Sequence, residues 1–202
     1  MIVIGLTGPS GSGKGTVGNY LANLGIPVID TDAVYHKLIQ EDTACLRELV
    51  QSFGTEILLP CGGLDRKKLA AIVFCGGAQQ DENCAMLNRI THRYVLQEVR
   101  VWLAACRAQE KKAAVVDAPL LFESGFHKEC GLVLSVLAEE DLRIKRICRR
   151  DGISKEAALA RISAQKPDEF FRQNSDFVIE NNQDEAFVAE QTETFCRING
   201  IL

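Results

Sequence analysis

The 202-residue sequence predicts an α/β protein built on a doubly wound, five-stranded parallel sheet, with an inserted helical region and a small helical lid. Three observations predict it. Five short apolar runs recur with helical stretches between them: Ile2 to Leu6, Ile26 to Asp30, Ala113 to Asp117, Leu132 to Leu137 and Asp176 to Ile179. Each is hydrophobic throughout rather than alternating, as strands covered on both faces are. The first run leads straight into a glycine-rich turn, and residues 31–112 are far more chain than one crossover helix needs.

The turn after the first run reads Gly8-Pro9-Ser10-Gly11-Ser12-Gly13-Lys14-Gly15-Thr16. Glycines let consecutive backbone N–H groups converge on an anion, and the following helix points its positive end at the same place. Lys14 adds a mobile cation for outer phosphates. A plain strand-to-helix turn with a surface lysine is the alternative, and the strand before and amphipathic helix after weigh against it. Such loops usually carry Ser or Thr after the lysine as an Mg²⁺ ligand. Here Gly15 stands there, so the metal is expected through water or on Thr16.

In open α/β sheets ligands gather at the carboxyl ends of strands. The second run ends in Asp30-Thr31-Asp32, and side-chain alternation lets one carboxylate point into a cleft. Asp32 either accepts a proton from an acceptor hydroxyl or caps the helix Ala33 to Ile39; the residues alone leave both open. In the insertion, Thr43 to Gly54 and Asp65 to Phe74 read as helices, and Leu87, Ile90, Tyr94, Val95, Val99 and Leu103 recur at helical spacing. His92 is by default a core or surface residue, but with Arg89 and Arg93 beside it the group could bind anionic parts of an acceptor.

Asp117 closes the third run, where an acid either orients Mg²⁺ or caps a loop. Pro119-Leu120-Leu121-Phe122-Glu123 then puts apolar side chains at the ligand end, as a substrate wall or as a loop tucked onto the core. Asp141 to Asp151 is a basic amphipathic helix. Its Arg143, Lys145 and Arg149 are expected on a solvated face, whereas Arg146 and Arg150 share a face and could bracket a transferring phosphoryl group. Arg161 belongs to the next helix, Ser154 to Gln165, capped by Ser154 and stopped by Pro167, and could join them from a closing lid.

A composition of 47% hydrophobic and 25% charged residues fits one ordinary globular domain, with an insertion at about 43–110 and a lid at about 150–170. The net charge of -4 argues against an extended nucleic-acid footprint. No apolar run reaches membrane-span length, and the first residues lack a basic leader, which predicts a cytoplasmic protein with no membrane partner. The 8 cysteines include no Cys-x-x-Cys pair, so reduced, mostly buried thiols are expected.

Several of these strings stand together in one family. Gly5-Leu6-Thr7-Gly8 with Gly11 to Thr16, Asp30-Thr31-Asp32, Ile90-Thr91-His92, Pro119 to Gly125, Arg146, Arg150 to Ser154, Arg161, Gln165 and Phe177-Val178-Ile179 leading to Asn181 resemble the dephospho-coenzyme A kinases. The cradle alone also looks like that of cytidylate kinases, but that family has glycine at the place of Asp32 and no counterpart to the Pro-Leu-Leu-Phe-Glu loop. The resemblance implies a P-loop NTPase-type core and ATP-dependent phosphorylation of the ribose 3′-hydroxyl of dephospho-coenzyme A, the last step of coenzyme A synthesis. It implies Asp32 as base, with Lys14 and Arg146 catalytic beside it. Gly11, Ser12, Gly13, Lys14, Gly15, Thr16, Arg150 and Asn181 would hold ATP. Asp32, Arg89, His92, Leu120, Leu121, Phe122, Glu123 and Arg161 would face the acceptor, and Thr16 and Asp117 the Mg²⁺. A monomer or small homo-oligomer is expected. The sequence departs from the family pattern at Gly15, at Arg93 after His92, at Glu180, and at Phe170-Phe171, near where a lysine is usual. A slow nucleotide switch is the reading from another class; such proteins commonly carry an Asn-Lys-x-Asp string, which this chain lacks.

Overall fold

The computed structural model describes residues 1–40 and 43–202, and its sheet grows outward from the first apolar run. That run is β1 (Ile2–Thr7), flanked by β3 (Ala113–Asp117) and β4 (Leu132–Leu137), with β2 (Val28–Asp30) and β5 (Phe177–Glu180) outermost in the order β2-β3-β1-β4-β5. β1 runs parallel to β3, with Leu6 opposite Asp117, and parallel to β4; β4 runs parallel to β5. The predicted parallel α/β sheet is therefore present. Its runs are apolar throughout because both faces are covered: Ile4, Leu6, Val115, Val116, Leu134 and Val136 are all fully buried.

The chain divides into two compact units, residues 1–29 with 105–202, and residues 30–104. In the first, α1 (Lys14–Asn23) and α9 (Glu185–Ile198) cover the sheet, with Val17, Leu21, Val188 and Phe195 in its core. α6 (Glu140–Asp151) and α7 (Lys155–Ser163) share a small apolar cluster of Ile144, Ile147 and Ala158, and α8 (Asp168–Asn174) follows Pro167. Ser154 caps α7 as predicted, its hydroxyl accepting from Ala157 N at 3.3 Å. The sequence reading left α8 and α9 unassigned. Asp184, which caps α9 by accepting from Phe187 N at 3.0 Å, and the spacing of Val188, Thr192, Phe195 and Cys196 are the signals that could have found the latter.

The second unit holds α2 (Thr31–Leu38), α3 (Ala44–Phe53), α4 (Arg66–Val73) and most of the long α5 (Gly77–Ala108). Its own core includes Leu46, Leu49, Phe53, Leu69, Val73 and Ile90. Of the thiols, Cys45, Cys106 and Cys196 are buried, whereas Cys61 and Cys75 are exposed, fewer in the core than expected. Burial pushes Cys45 and Cys196 up to about 11 and Cys130 to about 12. Among the described residues no helix is long and apolar enough to cross a membrane.

Candidate active site

The cradle is shaped by what stands behind it. Gly13 precedes α1 with φ 92°, and a Cβ there would lie 1.9 Å from the Asn181 amide nitrogen. Gly11, at φ 79°, passes 2.7 Å, measured from the Cβ it lacks, from the Arg143 carbonyl. Only glycine permits both the left-handed turn and the approach. Among the described residues no side chain caps the first turn of α1, which leaves its amides to an anion.

Three side chains brace the loop. Asn181, 6% exposed, donates from Nδ2 to Ser12 O at 2.8 Å. Arg146 donates from Nη1 to Gly11 O and Ser12 O, both at 3.4 Å, and from Nη2 to Asn181 O at 3.0 Å. Arg143 donates from Nε to Ser10 O at 3.0 Å, from Nη2 to Gln165 Oε1 at 3.1 Å and from Nη1 to Asp168 Oδ1 at 3.3 Å. Loop carbonyls so held turn the opposing N–H groups away from the braces and toward a ligand.

Arg143 corrects the sequence reading. It is 5% exposed rather than solvated, because the apolar stripe of α6 lays this side chain against the loop. Burial draws its guanidinium below the usual arginine range, with Asp168 and then Glu140 opposing. Asn181 is likewise a brace behind the cradle. Leu121 is a second correction: it is fully buried, packed with Cys130 over Gly5, where a Cβ would lie 2.7 Å from it. It plugs the core, and Leu120, 49% exposed, is the leucine a ligand could touch. Phe122 meets Phe170, Phe171 and His127 at ring centroids of 5.0, 6.1 and 5.2 Å, and Glu123 is exposed.

Lys14 Nζ is ion-paired with Asp117 Oδ1. Their side chains are 18% and 11% exposed, so the ammonium sits at the loop on a largely buried carboxylate. Thr16 is exposed in the first turn of α1 and borders a groove with Asn19, Tyr20, Glu185 and Val188. Arg150 grips Asp151 through two bonds of 2.7 and 2.9 Å, and Arg161 pairs with the same carboxylate.

In the second unit, Asp30 caps α2, its Oδ1 accepting from Asp32 N at 2.8 Å and Ala33 N at 3.3 Å. Asp32 therefore is not the cap. It sits exposed in the first turn of α2, two residues past the end of β2, and among the described residues nothing ties up its carboxylate. Arg89 is exposed and His92 half-buried. Arg93 is exposed, is engaged by Glu48 and lies over the Tyr94 ring at 4.7 Å.

A family model described as dephospho-CoA kinase matches residues 2–186. The chain belongs to the dephospho-CoA kinase family. A dephospho-CoA kinase of Corynebacterium efficiens is 40% identical over 90% of this chain and 89% of its own length. A solved Thermus thermophilus structure matches with TM-score 0.83 at 30% identity, covering 98% of this chain and 97% of that one. The structure of a dephospho-CoA kinase from Campylobacter jejuni matches with TM-score 0.70 at 28% identity, covering 99% of this chain and 98% of that one.

This member of the dephospho-CoA kinase family has an acid-sensitive contact between α6 and α7. Hydrogen bonds, first from Arg150 and then from Arg161, hold the Asp151 carboxyl at about 2, down from 3.8. A lowered folded-state value means the contact contributes fully above the unfolded value and is lost as pH falls from about 4 toward 2. Denaturant unfolding at pH 5 and pH 3 is expected to show a smaller acid-induced loss of stability for Asp151→Asn than for the wild type.

Proposed function

We propose that the chain transfers the γ-phosphoryl group of ATP to the ribose 3′-hydroxyl of dephospho-coenzyme A, releasing ADP and coenzyme A. The observation that carries this reading is Lys14, seated at the head of α1 on Asp117 beneath a cradle whose carbonyls Asn181 and Arg146 hold from behind. Triphosphate oxygens offer the ammonium more charge than one carboxylate does, so the arriving donor draws Lys14 off Asp117.

The amides of residues 11–16 take the β- and γ-phosphates, and Lys14 spreads their charge. Arg146 braces the loop and, with Arg150, steadies the moving group. Asp32 accepts the proton as the 3′-oxygen bonds to phosphorus and the β–γ bridge breaks toward ADP. In a loose transition state that proton leaves late, so an ordinary carboxylate suffices and alignment dominates. Arg89, His92, Arg161, Leu120, Phe122 and Glu123 complete the acceptor side.

Mg²⁺ fits as the donor's companion: Asp117 is a hard oxygen donor, and Mg²⁺ is commonly held by one or two carboxylates with phosphates and water. Bound there, it would neutralise charge on the β- and γ-oxygens. We place the reaction in a reducing, cytoplasmic setting, in keeping with eight free thiols.

An ATP-consumption assay offering dephospho-coenzyme A beside CMP, AMP and shikimate is expected to show preference for the first; preference for any other overturns the reading. Asp32→Asn is expected to lower kcat by about 10²-fold or more with little change in ATP KM. Loss of coenzyme A formation without gain of CMP activity would also set aside the cytidylate-type alternative, which the family match does not favour.

A further inference from the structure

Residues 165–171 touch both ends of the proposed reaction. At one end the single oxygen Gln165 Oε1 accepts from Ser10 N at 3.0 Å and from Arg143 Nη2 at 3.1 Å, while Arg143 also holds Ser10 O. Asp168 joins the same guanidinium at 3.3 Å. The amide and carbonyl of one cradle residue are thus both fixed by this segment and the arginine it anchors. At the other end Phe170 and Phe171 meet Phe122 edge-on, at 5.0 and 6.1 Å, on the loop after β3. Phe170 and Phe171 are themselves edge to face at 5.6 Å, so the rings form one packed unit. Pro167 starts α8 between the two anchors and shortens the slack in the connection.

We propose that Gln165 and Phe170 are positioning residues that couple the donor's phosphate loop to the acceptor loop, so that each substrate tightens the binding of the other. This rests on the reading that residues 119–123 wall the acceptor. A phosphate chain drawn into the cradle fixes Ser10, and Ser10 fixes Gln165. The short segment then sets where Phe170 holds Phe122. The exchange is reciprocal, since a coupling free energy belongs to both ligands equally.

The test is calorimetric titration of dephospho-coenzyme A into the full chain with and without a non-hydrolysable ATP analogue. The wild type is expected to bind the acceptor about 5- to 150-fold more tightly when the analogue is present. Gln165→Ala and Phe170→Leu should each cut that factor at least about threefold, while Gln165→Glu, which keeps the accepting oxygen, retains it. Leu120→Ser should weaken acceptor binding and leave the factor intact, because Leu120 takes no part in the ring contacts. A wild type without coupling, or both single variants with the wild-type factor, overturns the proposal alone. Unchanged acceptor affinity in Leu120→Ser removes the acceptor-wall reading and the proposal with it.

Discussion

Lys14→Met is expected to lower kcat by about 10²- to 10³-fold, the scale seen when one donor to developing transition-state charge is removed. Methionine keeps the length and the packing of the stem and deletes only the ammonium. Two consequences follow from the pairing of Lys14 with Asp117. The donor loses the Lys14 ammonium, so ATP affinity falls as well as turnover. The Asp117 carboxylate, at 11% side-chain exposure, loses its ion pair with the Lys14 ammonium. Steady-state kinetics with ATP varied, beside a titration of ATP into the variant, separates the two effects. Intact turnover would mean that the cradle amides alone carry the donor.

Gly13→Ala is expected to be strongly destabilising. The added carbon would stand 1.9 Å from Asn181 Nδ2, and φ of 92° is strained for any residue with a Cβ. The backbone cost is about 1–2 kcal/mol, and pushing the buried Asn181 amide off Ser12 O costs about 1–3 kcal/mol more. A loss of about 2–5 kcal/mol is a large share of a typical domain's stability and should lower Tm by about 5–20 °C. Gly15→Ala is the matched control. Its Cβ would meet nothing within 4 Å and its φ is not positive, so thermal unfolding should be unchanged or slightly raised. If the two variants melted alike, the bracing of the loop by Asn181 would be wrong.

What the sequence made legible was whatever depends on local pattern. Parallel strands buried on both faces have no polar alternation to hide them, and the cradle is contiguous, so Gly11 to Thr16 could be read directly. Asp32 was legible as a candidate but not as a decision, because two aspartates two residues apart compete for one cap. Asp30 took that cap through its bonds to Asp32 N and Ala33 N, and only three-dimensional geometry assigns it.

Arg143 was misread for a different reason. Helical periodicity marks which residues share a face, but not that a polar loop 133 residues away will cover it. Leu120 and Leu121 are neighbours with the same chemistry, and their opposite fates, 49% and 0% exposed, depend on the space left by Gly5 on another strand. The Gln165 and Phe170 contacts are long-range in the same sense, joining segments that no window of sequence brings together.

The most direct measurement is the distance from the Asp32 carboxylate to the ribose 3′-oxygen in a crystal of the wild-type chain with a non-hydrolysable ATP analogue and dephospho-coenzyme A. The account predicts about 2.6–3.2 Å, the reach of a general base. A different carboxylate at that oxygen, or Asp32 pointing away with its place taken by solvent, would contradict it.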